Sequence, residues 1–141
     1  MQPQASERPT SSRILVVDDD QALLNTLETI LSGEGFPVEA AEDGAVGLAR
    51  AREQTPALVL LDLHMPIMNG YAFLDALRAI PACASVPVIL MSGSQDPAAA
   101  RRRVGTQGVV LLLRKPFDLG TLLAAVRGVV RAPEPPGRYA T

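Results

Sequence analysis

Five short apolar runs recur along the chain: Arg13–Val17 (RILVV), Phe36–Ala40 (FPVEA), Ala57–Leu61 (ALVLL), Val86–Met91 (VPVILM) and Val109–Leu113 (VVLLL). Most are rich in Val, Ile and Leu, and three are nearly uninterrupted, the pattern of strands covered on both faces. Between them lie amphipathic segments with helical spacing. In Gln21–Ser32 the residues Leu23, Leu27, Ile30 and Leu31 fall at i, i+4, i+7 and i+8, one face of a helix. Asp20 is its expected N-cap and Gly33 its expected stop. Asp43–Gln54, Gly70–Ile80, Asp96–Val104 and Asp118–Arg131 are the other predicted helices, with start signals at Asp96-Pro97 and Pro116-Phe117-Asp118. In the last of them Leu119, Leu122, Leu123, Val126 and Val130 form a core-facing stripe. Gly120 and Gly128 weaken that helix by about 1 kcal/mol each relative to Ala.

Strand and helix alternate throughout, which predicts an α/β fold: a doubly wound parallel (βα)5 sheet with right-handed crossovers. The expected strand order is 2-1-3-4-5, the flavodoxin-like one. It puts Phe36–Ala40 at an edge, where Pro37 can lack its ladder donor. Ligands of such sheets bind beyond the carboxyl ends of the strands, at the switch point between strands 1 and 3. The predicted domain covers Arg13–Arg131. Met1–Ser12 reads as a disordered polar leader and Ala132–Thr141 as a Pro-rich tail or linker stub.

Composition narrows the classes. The chain has 141 residues, 48% apolar and 20% charged, the profile of one globular domain. A net charge of −2 argues against nucleic-acid binding by a general basic field. One cysteine, Cys83, excludes an internal disulfide and reads as loop or small apolar filler. No apolar run approaches the roughly 20 residues of a membrane span. A cytoplasmic protein without direct membrane contact is the expectation. One feature is unusual: of 13 basic residues only Lys115 is a lysine.

The strand ends carry the chemistry. Strand 1 runs into Asp18-Asp19-Asp20, strand 3 into Asp62, strand 4 into Ser92-Gly93 and strand 5 into Lys115-Pro116. Asp18, Asp19 and Asp62 therefore converge at the switch point. Two carboxylates about 4 Å apart repel by roughly 4 kcal/mol at an effective dielectric near 20. A hard divalent cation such as Mg2+ resolves the conflict, held by carboxylates and phosphate oxygens. Lys115 adds a second positive charge and Ser92 a hydroxyl, an arrangement suited to a phosphoryl group. A carboxylate can itself be the nucleophile and form an aspartyl phosphate.

ILVVDDD (Ile14–Asp20), LVLLDLHMPIMNG (Leu58–Gly70), VPVILMSG (Val86–Gly93) and RKPF (Arg114–Phe117) together resemble the receiver domain of two-component response regulators. The resemblance covers roughly Arg13 to Arg131. It implies Asp62 as phospho-acceptor, Asp19 as direct Mg2+ carboxylate with Asp18 assisting, and the backbone carbonyl of His64 as the third protein ligand. It implies Ser92 as switch hydroxyl and Lys115 as phosphoryl contact. Met65-Pro66 and Asn69-Gly70 would shape the turn after the acceptor, and Gly93 would keep the route to Asp62 open. Leu112 departs from the family pattern, since many receivers carry Tyr or Phe there. Read-out through the Ser92–Gly93 loop and the fourth helix is then expected.

The implied function is a phosphorylation-dependent switch, not an enzyme turning over a free substrate. The expected donor is a sensor histidine kinase or histidine phosphotransfer protein. The expected output is protein contact through helix 4, strand 5 and helix 5, where Arg101–Arg103 lie, as a monomer or a weak phosphorylation-dependent dimer. Asp20 reads as a cap rather than a ligand, and the His64 side chain as exposed, tuning loss of the phosphoryl group. Three alternatives are weaker. A haloacid-dehalogenase-type phosphatase would use Asp18-x-Asp20, but Ala22 and the lack of an acidic pair after Lys115 oppose it. A flavodoxin-type carrier would face phosphate repulsion from three aspartates. A degenerate receiver acting only as a binding module would not need all five key side chains.

Overall fold

The computed structural model describes residues 12–93, 96–105 and 107–130. The expected leader and tail lie outside the described residues, Ser12 excepted. The strands are β1 Ile14–Val17, β2 Val38–Ala41, β3 Leu58–Asp62, β4 Val88–Ser92 and β5 Val109–Arg114. The helices are α1 Gln21–Gly33, α2 Gly44–Glu53, α3 Gly70–Ala79, α4 Pro97–Val104 and α5 Leu119–Val129, with a 3-10 turn at Pro81–Cys83 that the sequence pattern did not announce. All pairings are parallel, and the sheet order is β2-β1-β3-β4-β5. The doubly wound α/β fold expected from the alternation is the one observed.

Side-chain alternation sorts the core into two layers. Leu15, Val17, Val59, Leu61, Val88 and Leu90 pack on one face with Leu48, Phe73, Leu77 and Val104 of α2, α3 and α4. Ile14, Val16, Leu58, Leu60, Ile89 and Met91 pack on the other with Leu24, Leu27, Leu31, Leu122 and Val126 of α1 and α5. β1, β3 and β4 are buried along their whole length, as covered strands must be. The edge strands β2 and β5 are only partly buried.

Several boundaries differ from the pattern. Phe36 and Val86 are buried apolar residues that precede their strands, so burial outruns the ladder. Pro37 likewise precedes β2 and serves it through its carbonyl, which accepts from the Ile14 amide at 2.8 Å. Gly33 is the last residue of α1 rather than the residue that stops it. The stop is at Gly35, whose φ of +96° favours glycine. Its amide donates to the Ser32 carbonyl and that of Phe36 to Leu31, the paired bonds of a glycine-terminated helix end. Every helix N-cap is an Asp or Asn whose side chain accepts from the third residue on: Asp20, Asp43, Asn69, Asp96 and Asp118.

Candidate functional site

β1 and β3 are neighbours with Val17 opposite Leu61. The next residues, Asp18 and Asp62, therefore leave the sheet side by side. By alternation both follow the parity of Val16 and Leu60, the α1/α5 face. Asp18 is 0% exposed and Asp62 3%. Asp19, one residue on, is exposed. Carboxylate oxygens of Asp18, Asp19 and Asp62 lie within 4.8 Å of one another.

Both oxygens of Asp18 are occupied. Oδ1 accepts the Asp20 amide at 2.9 Å, and Oδ2 accepts Lys115 Nζ at 2.8 Å. Lys115 Nζ also stands 3.5 Å from Asp62 Oδ1. The Lys115 amide donates to the Ser92 carbonyl at 2.6 Å, fixing the end of β5 to that of β4. The Lys115–Pro116 peptide is cis. The one lysine of the chain thus bridges two of the three clustered carboxylates.

That ammonium does not balance the site. Burial first, and then the charge of Asp18, push the Asp62 carboxyl up to about 6, although Lys115 and the His64 amide oppose the rise. Burial works to lower the Lys115 ammonium, but its bond to Asp18 and the charges of Asp18 and Asp62 prevail and raise it.

The segment after Asp62 is held close. The Leu63 amide donates to Met91 and the Gly70 amide to the Leu63 carbonyl, each at 2.9 Å. A Cβ at Gly70 would stand 2.6 Å from the Asp62 carbonyl oxygen and 2.7 Å from Leu63 Cα, so only glycine lets α3 begin against the acceptor strand. Asn69 caps α3, and Met65 is buried beneath the turn. A Cβ at Gly93 would meet nothing within 4 Å, so the fold itself makes no demand for glycine there. The His64 amide donates to Asp62 Oδ1 at 3.2 Å. The His64 side chain is exposed, as expected. Its Nε2 shares a 3.2 Å hydrogen bond with Ser92 Oγ, which sequence spacing did not foreshadow. Ser92 is 2% exposed at the end of β4. Asp20 caps α1 and lies outside the carboxylate cluster.

The donor set suits Mg2+: hard oxygen ligands, a negative cluster that is buried at Asp18 and Asp62, and an Asp62 carboxyl whose affinity for protons is raised first by burial and then by the charge of Asp18. Among the described residues Asp19 makes no hydrogen bond through its carboxylate, so both its oxygens are available to a cation.

The description "Response regulator receiver domain" matches residues 14–127. The chain belongs to the response regulator receiver family. The receiver domain is 38% identical over 122 residues to transcriptional regulatory protein PrrA of Mycobacterium tuberculosis, covering 86% of this chain and 51% of that protein. It is 39% identical over 119 residues to the DNA-binding response regulator MtrA of Mycobacterium leprae, covering 84% and 51%. The chain therefore spans about half the length of these curated relatives. Among solved structures it resembles the chemotaxis protein CheY4 of Vibrio cholerae, with a TM-score of 0.79, 27% identity, and 86% and 100% of the two chains covered. The receiver is a phosphorylation-dependent switch of two-component signalling, and receivers work with histidine kinases. Among the described residues no helix is long and apolar enough to cross a membrane.

Proposed function

We propose that Asp62 accepts a phosphoryl group from a phosphohistidine of a sensor kinase or phosphotransfer protein, with Mg2+ held by Asp19, Asp62 and the His64 carbonyl. Asp18 supports the ion without direct contact, because Lys115 and the Asp20 amide already hold its two oxygens. Bound there, Mg2+ supplies charge neutralisation on the phosphoryl oxygens. The remaining work falls to the chain. An Asp62 carboxylate oxygen attacks phosphorus, an O–P bond forms, and the N–P bond breaks with its electrons returning to the donor imidazole. Lys115 turns from Asp62 Oδ1, 3.5 Å away, to a phosphoryl oxygen. Ser92 donates its hydroxyl proton to another. Water later attacks phosphorus and releases Asp62 as carboxylate, so the modification is reversible and no free substrate is turned over.

The observation that carries this reading is the pair of buried carboxylates, Asp18 and Asp62, sharing the half-buried Lys115 ammonium beside buried Ser92, whose carbonyl accepts the Lys115 amide. The same residues do not suit an Asp18-centred phosphatase, whose nucleophile would be the very carboxylate that Lys115 and the Asp20 amide tie down. The signal leaves through α4, β5 and α5. Arg101, Arg102 and Arg103 stand exposed on α4, the last stacked 3.9 Å over the Tyr71 ring. Leu112 is partly buried in the α2–α4 layer, so read-out runs through the β4–α4 segment and α4 rather than through an aromatic rotation. Incubation with acetyl phosphate and Mg2+ tests the acceptor. One phosphoryl group per chain is expected, none without Mg2+ and none in Asp62→Asn. Equal labelling of Asp62→Asn would overturn the assignment.

A further inference from the structure

The only histidine of the chain touches both the acceptor and the hydroxyl beside it. Its amide reaches Asp62 Oδ1 and its ring Nε2 reaches Ser92 Oγ, each at 3.2 Å. The ring is placed by the backbone, because Leu63 is tied to Met91 on β4 and Gly70 to Leu63. An exposed imidazole is thus carried to a serine that is 2% exposed and 28 residues away in sequence.

We infer that the His64 imidazole is a latch on Ser92: it holds the hydroxyl in the unphosphorylated protein and competes with an incoming phosphoryl group for it. The inference rests on Asp62 being the acceptor. A serine hydroxyl has one proton to give. With Nε2 as acceptor, that proton is spent on the ring and is withdrawn from any phosphoryl oxygen. With Nε2 protonated, the ring donates to Oγ and fixes where the hydroxyl can point. Only with Nε2 as acceptor does the phosphorylated arrangement require the bond to His64 to be given up, because a serine oxygen can accept from the ring and still donate its own proton; the latch is the Nε2-acceptor tautomer. A hydrogen bond of this kind is worth about 1 kcal/mol net, so the latch should weaken occupancy of the switched state about fivefold. His64 is then a positioning residue acting through Ser92, a role separate from that of its carbonyl, which any side chain at this position would leave in place.

Four proteins test it: the parent, His64→Ala, Ser92→Ala and the double variant, each titrated with beryllofluoride and Mg2+ as the phosphoryl mimic. His64→Ala is expected to bind about fivefold more tightly than the parent. In the Ser92→Ala background the same change should have no effect. In the metal-free protein, Ser92→Ala should shift the His64 ring nitrogen resonances, a readout independent of phosphoryl chemistry. Unchanged or weaker beryllofluoride binding by His64→Ala overturns the latch, as does an equal change in both backgrounds. Failure of beryllofluoride to bind the folded parent would instead overturn Asp62 as acceptor, a different outcome from a flat cycle.

Discussion

Two charged places, one at each end of the sheet, are treated in opposite ways. Under the β5 entry, the Arg78 guanidinium donates to the Cys83 carbonyl at 2.9 Å and twice to the Gln107 carbonyl. Burial lowers its affinity for the proton, yet it remains a cation satisfied by neutral backbone oxygens. At the other end of the sheet, Asp18, Asp19 and Asp62 share one ammonium. The first arrangement is complete and ties α3, the 3-10 turn and the β5 approach together. The second is left wanting positive charge, and burial together with that deficit separates a site that binds something from one that only holds the fold.

The sharpest way to test the contrast is to remove each charge and read stability. Arg78→Ala strips the Cys83 and Gln107 carbonyls of charge-assisted donors and opens space beneath the loop. A loss of about 4 kcal/mol is expected, since hydrogen bonds to charged groups contribute about 1.5–3 kcal/mol each and do not add fully. Urea unfolding measures it. Acetyl phosphate labelling of the protein still folded should persist. A variant as stable as the parent would show that the arginine is incidental.

Asp62→Asn should act in the opposite direction. The native carboxyl titrates near 6 against an unfolded value near 3.8, so the folded state binds the extra proton between these values. Stability from that proton is fully present below about pH 4 and is lost as pH rises through 6. Above pH 6, without divalent cation, the ionised carboxylate therefore costs roughly 3 kcal/mol that asparagine does not. The variant is expected to unfold at higher temperature than the parent at pH 8 and at nearly the same temperature at pH 4. Adding Mg2+ at pH 8 should narrow the gap, because ligand that binds only the native state stabilises it. A gap independent of pH would refute the charge deficit.

The same contrast explains what could be read from the chain. Covered strands announce themselves as unbroken apolar runs, so the sheet and its order were legible, as were the helix starts at Asp20, Asp96 and Asp118. Asp18, Asp19, Asp62, Ser92 and Lys115 were findable because each stands at a strand end, and parallel strands bring their ends together. Cys83 was legible as filler and is fully buried. The role of Arg78 was not legible, because its partners are backbone carbonyls, and a carbonyl leaves no trace in residue type. The His64–Ser92 bond was hidden for a related reason: it depends on how tightly the turn after Asp62 folds back onto β4. The helix stop was misplaced at Gly33 because composition offers two glycines and only the backbone twist chooses Gly35.

The smallest expected effect lies on the rim of the functional side. Ile67, five residues after Asp62, is fully exposed and has φ of +71°. A β-branched residue in the left-handed region costs about 1–2 kcal/mol, and full exposure of its side chain returns little in packing. The strain follows from geometry around it. The turn must carry the chain from Leu63 back to Gly70, whose amide bonds the Leu63 carbonyl, while Met65 stays buried and Met68 packs over Gly44. Ile67→Gly relieves the strain and gives back part of the gain in unfolded-chain entropy. A net stabilisation of about 1 kcal/mol is expected, read as a rise in melting temperature of several degrees for a domain of this size. Nothing comparable should be available around the half-buried Arg78, since among the described residues Ile67 is the one non-glycine residue with a positive φ. A destabilised Ile67→Gly would mean that the turn draws support from the isoleucine, and that the cost of this site lies in its charge alone.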